Sequence, residues 1–190
     1  MATATSNAAS VLSKRTLLSL NDFVDDAPWV EEGPLLPEFR IDNQIDGVRL
    51  KRLVTHEDER GDLTVLISDL NEAIAPVPHV YLVTADPGSI RAWVYHKRQT
   101  DRLAYTNGNL RVVLYDLRPE STTYGKLNII DVGESNRVLL IIPSEVVHGV
   151  QNRGLTAATF VNMPTRAYDP AWPDKSRVPY NHPGIPYVFD

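Results

Sequence analysis

The stretch RVVLYDLRPESTTYGKLNIIDV, residues 111–132, contains two short segments rich in valine, isoleucine, leucine and tyrosine. Residues of these types are enriched in β-strands, and turn-forming residues separate the two segments. We therefore predict strands at Arg111–Tyr115 and Lys126–Val132. Neither segment shows the periodicity of a helix.

Segments of the same kind recur from residue 45 onward, separated by turn signals such as Asp86-Pro87-Gly88. The further predicted strands are Val48–Leu53, Leu63–Ile67, His79–Thr84, Ile90–Tyr95, Val138–Ile142 and Ala158–Asn162. Asn107-Gly108 is the strongest local signal for a hairpin. Many short strands without intervening helical periods predict an antiparallel sandwich or barrel.

The two ends of the chain differ from this pattern. Residues 1–44 are polar, are interrupted by Pro34 and Pro37, and are interpreted as an N-terminal arm or extension. Residues 45–190 are predicted to form one domain. The tail from Pro164 to Asp190 contains six prolines together with several aromatic residues. We expect it to form an ordered, irregular cover over one end of the barrel.

Composition excludes several classes of function. The chain has 190 residues, a formal net charge of -5 and no cysteine. No basic face indicates a nucleic-acid partner, and no apolar run approaches the ~18 residues needed to span a bilayer. The absence of cysteine suits a cytoplasmic protein, which is the location we predict.

Candidate chemistry centres on WVYHKRQTD, residues 93–101. Side chains alternate along a strand, which predicts that Val94 and His96 share one face and that Arg91 and Trp93 share the other. Together with the later PSEVVHGVQN, residues 143–152, these spacings resemble the two signature stretches of the cupin superfamily. Histidines and a carboxylate inside a small barrel can hold a divalent metal ion. His96, Asp101 and His148 are the candidate ligands; the alternatives for His96 are a metal-free pocket histidine and a structural histidine.

Other motifs resemble a more specific family, the dTDP-4-dehydrorhamnose 3,5-epimerases of the cupin superfamily. The resemblance rests on "DLR" at 116–118, "STTYG" at 121–125, "IP" at 142–143, "HGV" at 148–150 and Tyr168-Asp169-Pro170. It implies a cupin-type double-stranded β-helix, that is, a jelly-roll sandwich, which usually forms a homodimer. It also implies a small-molecule substrate such as a nucleotide sugar, and no cofactor.

The sequence departs from the family pattern at the positions that carry its usual chemistry. Val94 stands where the family has its catalytic base, Asn162 where it has the tyrosine acid, and His182 where it has the aspartate that assists the base. A lysine near the substrate corresponds to Asp101. Valine cannot accept a proton and an amide cannot donate one as a phenol can. We therefore do not expect 3,5-epimerisation by the family's usual groups.

The remaining polar residues suggest a rebuilt site. We predict His96 and His182 as catalytic acid/base groups, since neutral histidines exchange protons near physiological pH. Tyr105 is a further candidate. The predicted substrate-binding residues are Arg60, Arg91, Gln99, His148 and Asn162.

Three functions follow from these predictions. The first is a metal-free isomerase or epimerase that acts on a keto sugar, a nucleotide sugar or another carbonyl metabolite. The second is a metal-dependent cupin that uses His96, Asp101 and His148. The third is a ligand-binding family member without catalysis.

Overall fold

A computed structural model describes residues 18–28, 33–70 and 74–190. The chain divides into two compact units, Met1–Glu32 and Gly33–Asp190. In the described part of the first unit, a short 3-10 helix spans Leu20–Asp22. Much of the predicted N-terminal arm, residues 1–17 and 29–32, lies outside the described residues. A bilayer-spanning helix is absent from the described part of the chain.

The second unit is built from strands, as the sequence predicts. Within the described residues they are β1 (Glu38–Phe39), β2 (Arg49–Arg52), β3 (Thr55–Asp58), β4 (Gly61–Thr64), β5 (Tyr81–Ala85), β6 (Ile90–His96), β7 (Asp101–Tyr105), β8 (Asn109–Asp116), β9 (Leu127–Gly133), β10 (Val138–Ile142), β11 (Val146–Asn152), β12 (Ala158–Asn162) and β13 (Lys175–Arg177). Strand β1 lies in the stretch that the sequence assigns to the arm, and it pairs with β2. The all-β prediction is confirmed.

The strands form two main antiparallel sheets and a separate hairpin of β3 and β4. The six-stranded sheet has the order β1-β2-β10-β7-β12-β5, and the five-stranded sheet has the order β13-β6-β11-β8-β9. The main hydrophobic core contains Leu103 and Tyr105 of β7 together with Val112 and Leu114 of β8. Because these residues come from both sheets at alternate positions, the architecture is a sandwich.

The outer face of the five-stranded sheet carries a second hydrophobic cluster. Val113 and Trp93 belong to it, and Ile185 and Phe189 of the tail pack against them. The Trp93 and Phe189 rings lie 4.8 Å apart, and the Trp93 indole donates a hydrogen bond to the Tyr180 carbonyl at 2.9 Å. The last residues of the tail therefore cover a face of the five-stranded sheet. An apolar outer face requires such a cover.

One local prediction was wrong. Asn107-Gly108 does not close a hairpin, because β7 belongs to the six-stranded sheet and β8 to the five-stranded sheet. The turn chemistry itself is present, since Gly108 has φ +73°. A β-carbon at Gly108 would lie 2.3 Å from that of Ala158. The glycine thus allows the chain to cross between the sheets against β12.

Candidate active site

A cavity of about 300 Å³ lies between the two sheets. We call it the inner cavity. His96 lies at the end of β6, Asp101 at the start of β7, and His148 in the middle of β11. Asn162 ends β12, the neighbour of β7. Antiparallel pairing thus brings polar side chains that are distant in sequence to one wall.

The centre of the site is the Asp101 carboxylate. Its Oδ2 lies 3.3 Å from His96 Nε2 and 3.3 Å from His148 Nε2. All three side chains are close to fully buried. We call His96, Asp101 and His148 the triad.

The charges of the triad follow from its contacts. Burial raises the pKa of Asp101, but hydrogen bonds from His148 and His96 outweigh burial and hold the pKa well below its usual range. Asp101 is therefore a carboxylate. His148 Nδ1 lies 3.1 Å from the Val146 carbonyl oxygen, which can only accept a hydrogen bond. His148 thus lies between two oxygen atoms that accept hydrogen bonds, the Val146 carbonyl oxygen and Asp101 Oδ2.

His96 is in a different situation. Its Nε2 faces Asp101, whereas its Nδ1 has no hydrogen-bond partner among the described residues. With the ring proton on Nε2, His96 donates to Asp101 and the lone pair of Nδ1 stays available. The two histidines therefore differ at Nδ1, which faces the Val146 carbonyl oxygen in His148 and has no hydrogen-bond partner among the described residues in His96.

Amide side chains fix the other oxygen of Asp101. Gln99 Nε2 donates to Oδ1 at 2.6 Å, and Asn162 Nδ2 donates to it at 3.1 Å. Asn162 Nδ2 also contacts the Tyr81 hydroxyl at 2.8 Å. The predicted residues Gln99, His148 and Asn162 are thus brought together around His96. Tyr105 also lines the inner cavity, and burial raises the pKa of its phenol, which stays neutral.

Arg91 lines the inner cavity, although simple alternation along β6 predicts that it faces away from His96. His148 pairs with Val94 and Val150 pairs with Arg91, so β6 has one residue more than β11 between these pairs. This bulge changes which way the side chains before it point. Because cross-strand partners share a face, Arg91 lies with Val94 and His96; the predicted placement with Trp93 was wrong.

Two predicted site residues are not brought to the triad. Arg60 lies on the hairpin of β3 and β4, where its exposed guanidinium pairs with Asp58. His182 lines a separate cavity, next to the tail, and its Nδ1 accepts a hydrogen bond from the Gly184 amide. Val94, at the position of the family's base, does line the inner cavity.

Two cationic residues that line the inner cavity were not predicted from the sequence, Lys175 and Arg177. They belong to β13, whose Lys175 pairs with His96 and whose Arg177 pairs with Val94. This short strand was not predicted because prolines, which are rare inside strands, surround it. The only available signal was the spacing of two cations at positions i and i+2, which places them on one face of a strand.

A larger cavity of about 560 Å³ adjoins the inner cavity, since Tyr81, His96 and Lys175 line both. We call it the outer cavity. Tyr168 and Trp172 of the tail contribute exposed aromatic rings to its wall. The two cavities together offer a small polar chamber and a wider chamber with aromatic and cationic groups.

Comparison with known proteins identifies the family to which this architecture belongs. The model of the dTDP-4-dehydrorhamnose 3,5-epimerase family matches residues 42–187. This chain belongs to the dTDP-4-dehydrorhamnose 3,5-epimerase family. The recognition made from the motifs is confirmed.

Two relatives of the family are similar over most of their length. The spore coat polysaccharide biosynthesis protein SpsL of Bacillus subtilis is 36% identical over 146 residues, which cover 77% of this chain and 97% of SpsL. The "Probable low-salt glycan biosynthesis epimerase Agl13" of Haloferax volcanii is 36% identical over 140 residues, covering 72% of this chain and 89% of Agl13.

A solved structure of the family supports the fold. The dTDP sugar isomerase from Desulfovibrio desulfuricans G20 is 27% identical, with a TM-score of 0.72 over 82% of this chain and 94% of that one. The predicted cupin-type jelly roll is confirmed. The dTDP-4-dehydrorhamnose 3,5-epimerase family thus gives the chain a sugar-epimerase-like function on nucleotide sugars.

Proposed function

We propose that the protein is an epimerase or isomerase that removes a proton beside the carbonyl of a nucleotide-linked keto sugar. The observation that supports this most is the triad, in which two histidines contact one oxygen of an ionised carboxylate in a cavity wall. Nδ1 of His96 is buried and has no hydrogen-bond partner among the described residues, which leaves it available as a proton-accepting base.

The steps follow from the contacts of the triad. His96 takes the proton from the carbon next to the carbonyl, and the electron pair of that C–H bond moves to the carbonyl oxygen. The cationic side chains that line the inner cavity, Arg91, Lys175 and Arg177, offset the negative charge that develops on this oxygen. Delivery of a solvent proton to the opposite face of the carbon, with loss of the His96 proton to solvent, gives the epimer. Where the deprotonated carbon carries a hydroxyl group, transfer of the hydroxyl proton to the former carbonyl oxygen and of the His96 proton to the former carbonyl carbon gives the isomer.

Asp101 has a positioning role in this proposal. Held by Gln99 and Asn162 at Oδ1, it keeps both imidazoles in place through Oδ2. Its negative charge also stabilises the imidazolium that forms on His96 when the proton arrives. His96 thus serves as the base in place of the residue at position 94.

Deuterium uptake tests this function. We expect the protein in D2O to incorporate deuterium into at least one keto sugar from a panel of dTDP- and UDP-linked compounds, as seen by NMR. His96→Gln should slow this exchange by about 10²–10⁴-fold, the usual contribution of a general base. His182→Gln should keep the wild-type rate, because His182 lies in a separate cavity.

Two results would contradict the proposal. One is that no member of the panel takes up deuterium. The other is that His96→Gln and His148→Gln both exchange at the wild-type rate while His182→Gln does not.

A metal-dependent reaction is the second candidate, and one observation favours it. Ligand atoms of His96, Asp101 and His148 lie within 4.8 Å of one another. The Nδ1–H of His148 on a backbone carbonyl is also the outer contact that metal-binding histidines usually make. A divalent ion held by these three side chains would polarise the substrate carbonyl. Metal analysis of the purified protein and of His96→Ala separates the two candidates: stoichiometric metal that this change removes would favour the second.

The assembly and location of the protein stay predictions. We propose a homodimer. Val80 and Leu82, exposed at and beside edge strand β5, support it, since apolar residues beside a sheet edge that no described strand covers favour pairing. The predicted cytoplasmic location rests on the absence of cysteine.

A further inference from the structure

Tyr81 brings a phenol into the inner cavity. It is the first residue of β5, is half-buried, and lines the inner and the outer cavity. Asn162 lies directly opposite it in the β12–β5 pair. Tyr81 belongs to the six-stranded sheet, whereas His96 lies on β6 of the five-stranded sheet. The phenol and the proposed base thus enter the cavity from opposite sheets.

The ionised state of Asp101 fixes the direction of the hydrogen bond at Tyr81. A carboxylate only accepts, so the NH2 group of Asn162 faces Asp101 Oδ1, at 3.1 Å. The reverse orientation of the amide would set its oxygen against the carboxylate oxygen. The second hydrogen of the NH2 group is then directed to the Tyr81 hydroxyl, at 2.8 Å. The Tyr81 oxygen is therefore the acceptor in this contact.

This direction leaves the phenolic proton of Tyr81 for another partner. Among the described residues, Asn162 is the only hydrogen-bond partner of the Tyr81 hydroxyl, and it donates. One chain of hydrogen bonds therefore leads from His96 Nε2 through Asp101 and Asn162 to the Tyr81 oxygen. The chain occupies the Nε2 side of His96 and a lone pair of Tyr81. A proton acceptor, Nδ1 of His96, and a proton donor, the phenolic O–H, are left over at its two ends.

The surroundings of Tyr81 keep its phenol protonated until it is used. Burial and the negative charge of Asp101 raise the pKa of Tyr81, so the phenol is neutral at pH 7. The hydrogen bond from Asn162 and the charge of Arg91 act in the opposite direction. These two contacts would stabilise the phenolate that forms when the proton leaves.

We propose that Tyr81 is the catalytic acid of the reaction, which gives its hydroxyl proton to the substrate carbon on the face opposite His96 and so makes the protein an epimerase. The inference rests on the proposed function in taking His96 as the base. His96 removes the proton from one face of the carbon, and the electron pair of the C–H bond forms the enolate. Tyr81 then protonates this carbon from the other sheet, which inverts its configuration.

The proton balance closes through solvent. As the new C–H bond forms, the carbonyl group is restored and Tyr81 becomes a phenolate. The phenolate takes a proton from water, which can reach it from the outer cavity that Tyr81 also lines. His96 gives its extra proton to water, so both groups return to their starting states. The proton that solvent supplies to the product thus passes through Tyr81.

Loss of the acid should separate epimerisation from deuterium exchange. We incubate the wild-type protein, Tyr81→Phe and Tyr81→Leu in D2O with the panel of dTDP- and UDP-linked keto sugars, and NMR measures label and configuration together. Tyr124→Phe is the matched control, since Tyr124 is exposed and lines neither cavity. Tyrosine fluorinated at position 3 of the ring, placed at residue 81, keeps the hydroxyl and serves as the conservative variant.

We expect the wild-type protein to form a deuterated sugar of inverted configuration. Tyr81→Phe and Tyr81→Leu should form this epimer about 10²–10⁴-fold more slowly, the usual contribution of a general acid. Both should still introduce deuterium with retained configuration, because His96 can exchange its proton with solvent and return deuterium to the same face. This exchange also shows that the variant is folded and that its base works. Tyr124→Phe and the fluorinated variant should form the epimer as the wild type does.

The outcomes separate this inference from the proposed function. Epimer formation at the wild-type rate by Tyr81→Phe or Tyr81→Leu would overturn Tyr81 as the acid and leave the base His96 standing. Wild-type protein that exchanges deuterium only with retention would do the same. Loss of both exchange and epimer formation in a Tyr81→Phe variant that melts as the wild type does would also overturn it, because an acid on the opposite face is not needed for exchange. A wild-type protein that exchanges with no sugar refutes the proposed function itself.

Discussion

Replacing Asp101 with asparagine tests whether the triad holds an ionised carboxylate. Four donors face this side chain: Nε2 of His96, Nε2 of His148, and the amide groups of Gln99 and Asn162. The NH2 group of asparagine, which replaces one carboxylate oxygen, cannot accept a hydrogen bond, so two of these buried donors would lose their acceptor. At about 1–3 kcal/mol for each unsatisfied buried group, we expect the free energy of unfolding to fall by about 3 kcal/mol at pH 7.

The loss should depend on pH in a defined direction. Because the pKa of Asp101 is lowered in the folded protein, its stabilisation is fully present above the unfolded pKa of about 3.9. It is lost as pH falls from there towards the folded pKa, by about 1.4 kcal/mol per pH unit. The difference between wild type and Asp101→Asn should therefore shrink by about 1 kcal/mol between pH 7 and pH 3.

Urea unfolding followed by tryptophan fluorescence measures both quantities, since Trp93 is buried. For a chain of this size, 3 kcal/mol corresponds to about 6–12 °C in Tm. Asp131→Asn is the control: its carboxylate pairs with Arg111 in a partly exposed position, so the change should cost less than about 1 kcal/mol. A loss below 1 kcal/mol for Asp101→Asn, or a loss that grows as pH falls, would refute the ionised carboxylate.

Two further changes test the packing that positions the site. Gly108→Ala should lower the free energy of unfolding by about 2–4 kcal/mol, because Gly108 has a positive φ and its new methyl group would collide with Ala158. Gly88→Ala, also at positive φ but with open space around it, should cost only about 1 kcal/mol in the same urea titration; equal losses would contradict the steric argument. Phe189→Ala should cost about 3 kcal/mol, since Phe189 is buried on the outer sheet face. The exposed neighbour Val188 should tolerate alanine with little loss, and equal Tm values for the two variants would show that the tail does not stabilise the sheet.

The fold was predictable wherever strands carry apolar residues in a regular pattern. Strands β8 and β10 coincide closely with the predicted segments for this reason. Strand β7 was missed because all five of its residues are buried and two of them are charged. Arg102 remains buried there because its guanidinium donates to backbone carbonyls, including that of Met163 at 2.6 Å. Buried charges satisfied by partners distant in sequence cannot be recognised from local composition.

The site was predictable only in part. Motif spacing and the family resemblance predicted four residues that the structure places together: His96, Gln99, His148 and Asn162. His182 matched a family position, but the path of the tail takes it to another cavity. Arg91 faces the inner cavity because of a bulge, which is a property of strand pairing that the sequence of one strand does not reveal.

Strand β6 forms backbone hydrogen bonds with a core strand along one edge and with the tail along the other. On one edge β6 pairs with β11, and on the other it pairs with the three residues of β13. Flanking bonds from the Trp93 amide to Val178 and from the Lys97 amide to Asp174 extend this second edge. Short edge pairings open locally at a lower free energy than the core. Amide protons of β6 that face the tail should therefore exchange with solvent earlier than those that face β11. Release of the tail would also move Lys175 and Arg177 away from His96 without unfolding the sandwich.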